Sequence, residues 1–471
     1  MTKTTPYIPI IEEISGPPDS VALFASIKDE PYSFFLDSAS DNDKLARYSF
    51  LGCEPFLVFI SKGSSIHLEW SDGRRESFVS DPFIALKDIL KRYAVRNDTG
   101  IPFVSGGVGY FSYDLKDFIE RLPDTAVDDL DLPDCVLGFY DTVVVYDHMK
   151  KKLYISSVAK DRMEYFKDKI SNSRPDIKAG SPPKPHALRS NFSKASYIKA
   201  ITRAKEYIKR GDIYQVNLAQ RFETELGSDP FELYCRLREA SPAPFAAYLG
   251  FGDIAILSSS PERFLMKRGD YIETRPIKGT RPRGHDLFDD GKLEDELSRS
   301  AKDRAEHLMI VDLERNDLGR ISRYGSVNVD EFIIMERYST VFHLVSTISA
   351  RLKEGIGPVD CLLAAFPGGS ITGAPKVRAM QIIEELEPVK RSIYTGAIGY
   401  ISFDGNMDTS VVIRTLVAKG RKAYFHVGGG IVADSDPEKE YEETLDKAKG
   451  LIEALACAEF LPGQAEEICK E

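Results

Sequence analysis

The chain has 471 residues, 42% hydrophobic and 29% charged, the composition of a globular protein with a sizeable core rather than a disordered or fibrous one. A formal net charge of −11, with no Lys/Arg stripe carrying interleaved aromatics, argues against a nucleic-acid partner, because phosphate backbones attract a basic face. Six cysteines without a Cys-x-x-Cys pair argue against a zinc knuckle and a disulfide-stapled scaffold, and no apolar run approaches the roughly 20 residues of a membrane span. The opening MTKTTPYIPIIEEISGPPDS lacks a basic end followed by an apolar signal core, so a cytoplasmic location is expected.

Up to about residue 170 the sequence reads as short strands and turns, with apolar runs SFFLD (33–37), FLVFI (56–60), GGVGYFSYD (106–114) and DTVVVYD (141–147). One helix is predicted over 82–94 and another after Lys160. Residues 171–193, rich in Pro, Ser and Lys and without periodicity, read as a linker or surface excursion between an N-terminal region, 1–170, and a second region, 194–460. Beyond it comes an amphipathic helix with Ser193 as its cap and Gly211 as its stop. Strands follow over 213–223, 245–251, 255–268 and 271–277, and glycine turns between several of them favour antiparallel pairing. Later helices are predicted over about 291–319, 375–387 and 437–457.

Several residues stand out against this framework. In TRPIKGTRPRG (274–284), Lys278 sits where a strand runs into a Gly-Thr turn, with Arg275, Arg281 and Arg283 close by. By itself it reads as a strand-end lysine paired to a carboxylate. Asp303 and Glu306 in SAKDRAEHLMIVDLERND, and Glu440 and Glu443 in SDPEKEYEETLDKAKG, are each spaced to share one helical face. Facing one another they would suit Mg²⁺, a hard cation that keeps waters and needs only one or two direct carboxylates; apart, they are solvated charge. The segment FPGGSITGAPKVRAMQ lacks the Gly-Lys-Ser/Thr ending of a phosphate loop but leads into a helix whose first amides favour an anion. A second loop, HVGGGIVADSDP, offers Gly428, Gly429 and Gly430 for close backbone approach to a ligand, though structural turns explain either loop. Glu262, amid apolar neighbours, suits a general acid with a raised pKa or a surface ion pair. His343 reads as a core histidine. Arg414, a cation in a hydrophobic strand, needs an anion from the protein or from a ligand.

Taken together, GDIYQVNLAQRF, SSSPERF, PIKGTRPRG, KDRAEHLMIVDLERND, FHLVSTI, FPGGSITGAPKVRAM, YTGAIGY, GNMDTSVVIRT, VGGGIVADSDP and EYEETLDKA resemble the chorismate-utilising enzymes, densely over about 190–457. That family includes anthranilate synthase component I, aminodeoxychorismate synthase component I, isochorismate synthase and salicylate synthase. The resemblance implies an α+β fold, a sandwich of mainly antiparallel β-sheets with helices packed outside. It implies Mg²⁺ held by Glu306 and Glu440, with Asp303 and Glu443 in or near its shell, gripping the ring carboxylate of chorismate. Arg414, Tyr394 and the amides of Gly428, Gly429 and Gly430 would hold the other carboxylate, with His343 and Thr372 also lining the substrate site. Gln215 stands where the members that add water carry a basic lysine, which speaks against isochorismate and salicylate synthesis. Lys278 stands where anthranilate synthases carry alanine and aminodeoxychorismate synthases carry a nucleophilic lysine.

On that likeness Glu262 protonates the leaving 4-hydroxyl while Lys278 adds at C2, and ammonia then enters at C4. A free lysine, pKa about 10.4, is almost wholly protonated at neutral pH, so neighbouring arginines, the metal or desolvation must depress it. None of the cysteines stands in a Gly-x-Cys-x-Gly elbow, so a separate glutamine amidotransferase is the expected ammonia source, with the product feeding 4-aminobenzoate and folate synthesis. The looser N-terminal match, FLDSAS and RYSFLGCEP, implies a tryptophan pocket lined by Ser38, Arg47, Tyr48, Pro244, Phe245 and Ala246, with Leu-Asp-Ser where anthranilate synthases show Leu-Glu-Ser. The rival expectations are anthranilate synthesis and a catalytically silent tryptophan-binding relative.

Overall fold

The computed structural model describes residues 7–15, 19–39, 45–171, 186–339, 341–456 and 459–460. Among these the strands form two large sheets, of 13 and 12 strands. Every ladder between them is antiparallel except the two-residue pairing of Ala187–Ser190 with Glu459–Phe460. The first sheet runs Ile10–Ile14, Lys152–Ser157, Thr142–Asp147, Tyr48–Gly52, Ser33–Asp37, Phe245–Phe251, Ile254–Ser260, Thr415–Lys419, Lys422–Ile431, Gln215–Glu225, Ala187–Ser190 and Glu459–Phe460, with Gly373–Ala374 also paired to Gln215–Glu225. The second runs Ile277–Pro282, Val341–Arg351, Tyr271–Arg275, Arg263–Arg268, Met407–Val411, Ala397–Ser402, Gly106–Phe111, Cys135–Tyr140, Leu57–Lys62, Ser65–Trp70 and Arg75–Val79. Segments from both ends of the chain therefore lie within each sheet.

The sheets pack face to face. Phe34, Phe50, Leu249 and Ile256 of the first meet Val108, Tyr110, Val136 and Ile398 of the second in one apolar cluster. Helices Ser20–Ala25, Lys160–Ser171, Pro230–Ala240 and Pro437–Leu455 cover the outside of the first sheet. Helices Pro82–Arg92, Ala301–Ile321 and Pro358–Ala365 cover the outside of the second. This is the expected α+β sandwich. Strands buried on both faces explain near-continuous apolar runs such as TVVVYD, and the amphipathic helices each bury one stripe.

Several local expectations are corrected. Residues 255–268 are two strands in different sheets, Ile254–Ser260 and Arg263–Arg268, because the chain passes from one layer to the other at Pro261 and Glu262. The helix predicted over 291–319 is two, Leu287–Arg299 and Ala301–Ile321, parted by Ser300, whose extended backbone lets its hydroxyl cap Asp303 N–H. Gly428, Gly429 and Gly430 lie in the strand Lys422–Ile431, paired with Ala219, Leu218 and Asn217, rather than in a loop. The Gly-Thr step after Lys278 is a bulge in the edge strand Ile277–Pro282 and not a turn. Of the stretch read as a linker, residues 172–185 lie outside the described residues. Its end forms the strand Ala187–Ser190 and the cap Ser193 of the Lys194–Arg210 helix, which stops at left-handed Gly211 as expected. No helix among the described residues is long and apolar enough to cross a membrane.

Candidate active site

Two passages between the sheets run side by side. One goes from Ile254–Ser260 through Glu262 to Arg263–Arg268, the other from Met407–Val411 through Arg414 to Thr415–Lys419. They are tied together by Val411 N–H donating to Glu262 O at 3.0 Å, Ser259 N–H to Arg414 O at 3.1 Å, and Ser260 Oγ to Val411 O at 2.6 Å. An acid and a guanidinium thus share the seam where the layers join. Arg414 adopts φ +50°, a backbone that L-residues avoid unless the surroundings impose it. Among the described residues it has no carboxylate within ion-pair distance, and its electrostatic neighbours are Glu262 and Tyr338.

Glu262 is 4% exposed, and burial pushes its carboxyl up to about 7 against the opposing pull of the Ser370 hydroxyl and the Lys278 and Arg414 cations. Its Oε1 accepts from Ser370 Oγ at 2.6 Å. The carbonyl of the same serine accepts from Lys278 Nζ at 2.9 Å. Lys278 reaches this position through the bulge: Gly279 takes φ +78°, and a Cβ there would lie 2.9 Å from Leu297 Cδ1 and 3.1 Å from Asp303 Cβ. Burial lowers the lysine's pKa, opposed by Glu306, Glu262 and Glu443 and assisted by Lys447. The three arginines of the motif play no part in this. Arg275 pairs with Glu336 (2.7 Å) and Glu331, Arg281 with Glu296 (2.8 Å) and Asp303, and Arg283 with Asp290, so their charges are spent locally. Desolvation is the depressing influence, as one of the expected candidates.

The acidic helices Ala301–Ile321 and Pro437–Leu455 meet at the Gly429–Gly430 backbone. A Cβ on Gly429 would lie 3.4 Å from Glu440 Oε2 and 4.0 Å from Glu443 Oε1, and one on Gly430 only 2.2 Å from Gln215 Nε2 and 3.6 Å from Glu306 Oε2. A side chain at Gly430 would displace the buried Gln215 amide, whereas Gly429 has ordinary contact distances. Lys302 Nζ bridges the helices, 3.1 Å from Glu440 Oε1 and 3.9 Å from Glu306 Oε1. Burial raises the Glu306 pKa, and its Oε1 is buried without a hydrogen-bond partner, as are both amide atoms of Gln215. Asp303 accepts from Arg281 (3.3 Å), and Glu443 pairs with Lys447 (2.8 Å). Among the described residues no three acidic, histidine or cysteine side chains close around one point. What the geometry offers a divalent ion is the Glu306–Glu440 pair, with one unsatisfied buried oxygen. That donor set fits a cation that retains most of its waters.

Tyr394 stacks on His426 (centroids 4.9 Å apart, 10° between planes), and its hydroxyl is 3.0 Å from where a Gly428 Cβ would be. His343 is buried, its Nδ1 2.9 Å from Thr280 Oγ1 and its Nε2 without a partner; burial brings its pKa down to about 3. Thr372 is spent on the fold: its hydroxyl donates to Gly368 O at 2.9 Å and its carbonyl accepts from Asn217 N–H at 2.7 Å. The residues named for a tryptophan pocket gather elsewhere, on adjacent strands of the first sheet, where Asp37 lies opposite Ala246. Ser38 Oγ donates to Tyr48 O (2.7 Å), Arg47 pairs with Asp147 (3.0 Å) beneath the Tyr48 ring, and Phe245 carries the Arg263 guanidinium over its face, next to Pro244. Asp37 itself is buried and held by Arg238 and Tyr234.

Ser370, Lys302 and Lys447 were not anticipated. A faint signal existed for Lys302, four residues before Glu306 and so one turn away on the same helical face. None existed for Ser370, one polar residue within a glycine-rich stretch.

Comparison with known proteins accords with this arrangement. The pattern of the chorismate binding enzymes spans residues 39–453. The chain is 42% identical to aminodeoxychorismate synthase component 1 of Escherichia coli (strain K12), over 92% of this chain and 95% of that one. It is 40% identical to anthranilate synthase component 1 of Acetivibrio thermocellus, over 97% and 96%. Among solved structures, anthranilate synthase component I from Streptococcus pneumoniae superposes with a TM-score of 0.76 at 31% identity, covering 86% of this chain and 92% of that one. The menaquinone-specific isochorismate synthase of Escherichia coli shares the fold with a TM-score of 0.70 at 20% identity, over 96% of each chain. With a buried acid beside a half-buried amine and guanidinium at the seam of that same sandwich, the chain belongs to the chorismate binding family and is a chorismate-utilising enzyme.

Proposed function

We propose that the enzyme aminates chorismate at C4, giving 4-amino-4-deoxychorismate and water. The observation that carries this reading is the placement of Lys278: its amine, depressed by burial, lies one residue's span from the raised carboxyl of Glu262. Neutral Lys278 adds to C2, both ring double bonds shift by one position, and the 4-hydroxyl leaves as water with the proton of Glu262. Ammonia then adds at C4, both double bonds shift back, the C2–N bond breaks to return the neutral lysine, and Glu262 takes a proton back from the new C4 ammonium. One difficult substitution becomes two easier ones. Arg414, with no carboxylate at ion-pair distance among the described residues, would receive a substrate carboxylate, with Tyr394 on the same side of the proposed site. The Glu306 oxygen that makes no hydrogen bond, together with Glu440, would hold Mg²⁺, which when bound offsets the negative charge of the ring carboxylate.

Ammonia on this reading comes from a separate glutamine amidotransferase. The "component 1" in the relatives' names accords with a second subunit. Relatives of both aminating kinds match at similar identity, so the identities do not choose between them; Lys278 is the residue that favours C4 amination over anthranilate formation.

Incubation with chorismate, Mg²⁺ and ammonium, followed by mass spectrometry of products and protein, tests the proposal. The expected result is 4-amino-4-deoxychorismate without pyruvate and a protein adduct that vanishes in Lys278→Ala. Anthranilate with stoichiometric pyruvate would establish the anthranilate synthase reading instead, and unconsumed chorismate the silent one.

A further inference from the structure

Ser370 joins the two reactive groups through one residue. It is 5% exposed, in a short 3₁₀ turn, Gly369–Ile371. The hydroxyl donates to Glu262 Oε1 at 2.6 Å while the carbonyl accepts from Lys278 Nζ at 2.9 Å. The turn is itself confined: a Cβ on Gly369 would meet Leu313 Cδ2 at 2.7 Å, and the guanidinium of buried Arg391 donates to Ile371 O at 3.0 Å. We propose that Ser370 is a positioning residue that fixes which oxygen of Glu262 carries the transferable proton and holds the Lys278 amine at a set distance from it. A hydrogen bond accepted at Oε1 favours the proton on Oε2, in a carboxyl that also bonds the Ile277 N–H and faces Lys278, Arg414 and Glu314. With one N–H of the amine given to the carbonyl, the nitrogen lone pair is turned away from that carbonyl. The inference rests on the roles of Glu262 and Lys278 proposed above.

The test compares Ser370→Ala and Ser370→Cys with wild type across pH, reading chorismate consumption, which registers whichever aminated product forms. In Ser370→Ala, kcat should fall about tenfold to a hundredfold with KM nearly unchanged, the size expected from losing a hydrogen bond to an ionisable group. The limb of the profile set by Glu262, identified as the one that Glu262→Gln abolishes, should also move up by about one pH unit, since the donor that favours its carboxylate is gone. Ser370→Cys, similar in size with a weaker donor, should shift that limb the same way by less, and it serves if the alanine variant does not fold. A merely structural serine would lower activity without moving the limb, and a limb unchanged in both variants overturns the proposal. Product identity in wild type is scored separately. Anthranilate there would refute amination at C4 while leaving the serine's effect on the limb to be judged alone.

Discussion

Lys302 and Glu440 meet across the two acidic helices, Nζ to Oε1 at 3.1 Å, with Glu306 Oε1 at 3.9 Å from the same nitrogen. One ammonium thus occupies the pair of carboxylates proposed to hold Mg²⁺, and ion and lysine compete for the same oxygens. Lys302→Met should bind Mg²⁺ several-fold more tightly by titration calorimetry. In chelator its melting temperature should fall below that of wild type, because the buried Glu440 and half-buried Glu306 then lose the cation that bridges them. Equal affinity in both proteins would refute the competition.

Glu262 and Lys278 titrate as a coupled pair, so the pH profile should be bell-shaped with apparent values belonging to both. Protonated Glu262 is lost as pH rises through a value near 7, while neutral Lys278 is gained as pH rises through a value below the ordinary 10.5. Replacing Glu262 with Gln should lower kcat by about 10² to 10⁴, the usual contribution of a positioned acid. In Lys278→Ala any residual turnover should fall with rising pH along a limb displaced upward, because a neighbouring cation that favoured the carboxylate is gone. Steady-state kinetics from pH 5 to 10 distinguish these outcomes.

Gly279 is held to glycine twice, by φ +78° and by the packing of Leu297 and Asp303. Gly279→Ala should cost about 1–3 kcal/mol by chemical denaturation. It should also diminish adduct formation at Lys278, since relief of the clash requires the bulge or the Ala301–Ile321 helix to shift. A variant with native stability and a full adduct would refute this coupling.

His426 stays neutral in the fold, its pKa held well below 6.5 by burial and by Arg221 and Arg391. The unfolded chain takes up this proton as pH falls through about 6.5, whereas the native protein does not, so stability is lost below that pH by up to ~1.4 kcal/mol per unit. His426→Phe keeps a ring against Tyr394 and removes the titration. Its denaturation midpoint should therefore decline less steeply between pH 6.5 and 5 than that of wild type.

The reach of sequence reading is instructive at particular residues. Helix 194–210 was legible to its caps because Ser193 and Gly211 act locally. Strand 245–251 was legible from its apolar run and flanking breakers. The split of 255–268 was not, because which sheet a strand joins depends on partners 150 residues away: Ile254–Ser260 finds Thr415–Lys419, and Arg263–Arg268 finds Met407–Val411. Within the site, acidic spacing and the odd lysine pointed to the helices and strand that the structure brings close together. The arginines beside Lys278 misled because proximity in sequence says nothing of where a long side chain finds its carboxylate. Ser370 was invisible because its importance lies in which two groups it touches, and those come from separate strands.

Glu262 and Arg414 stand on the twin passages that join the two sheets. Each residue sits on a connection shared by both layers, so sliding of one sheet over the other is expected to strain the links that hold acid and guanidinium together. Substitutions deep in the apolar filling, at Phe34 or Tyr140 for instance, far from any reactant, are thereby expected to register as altered turnover before they register as unfolding.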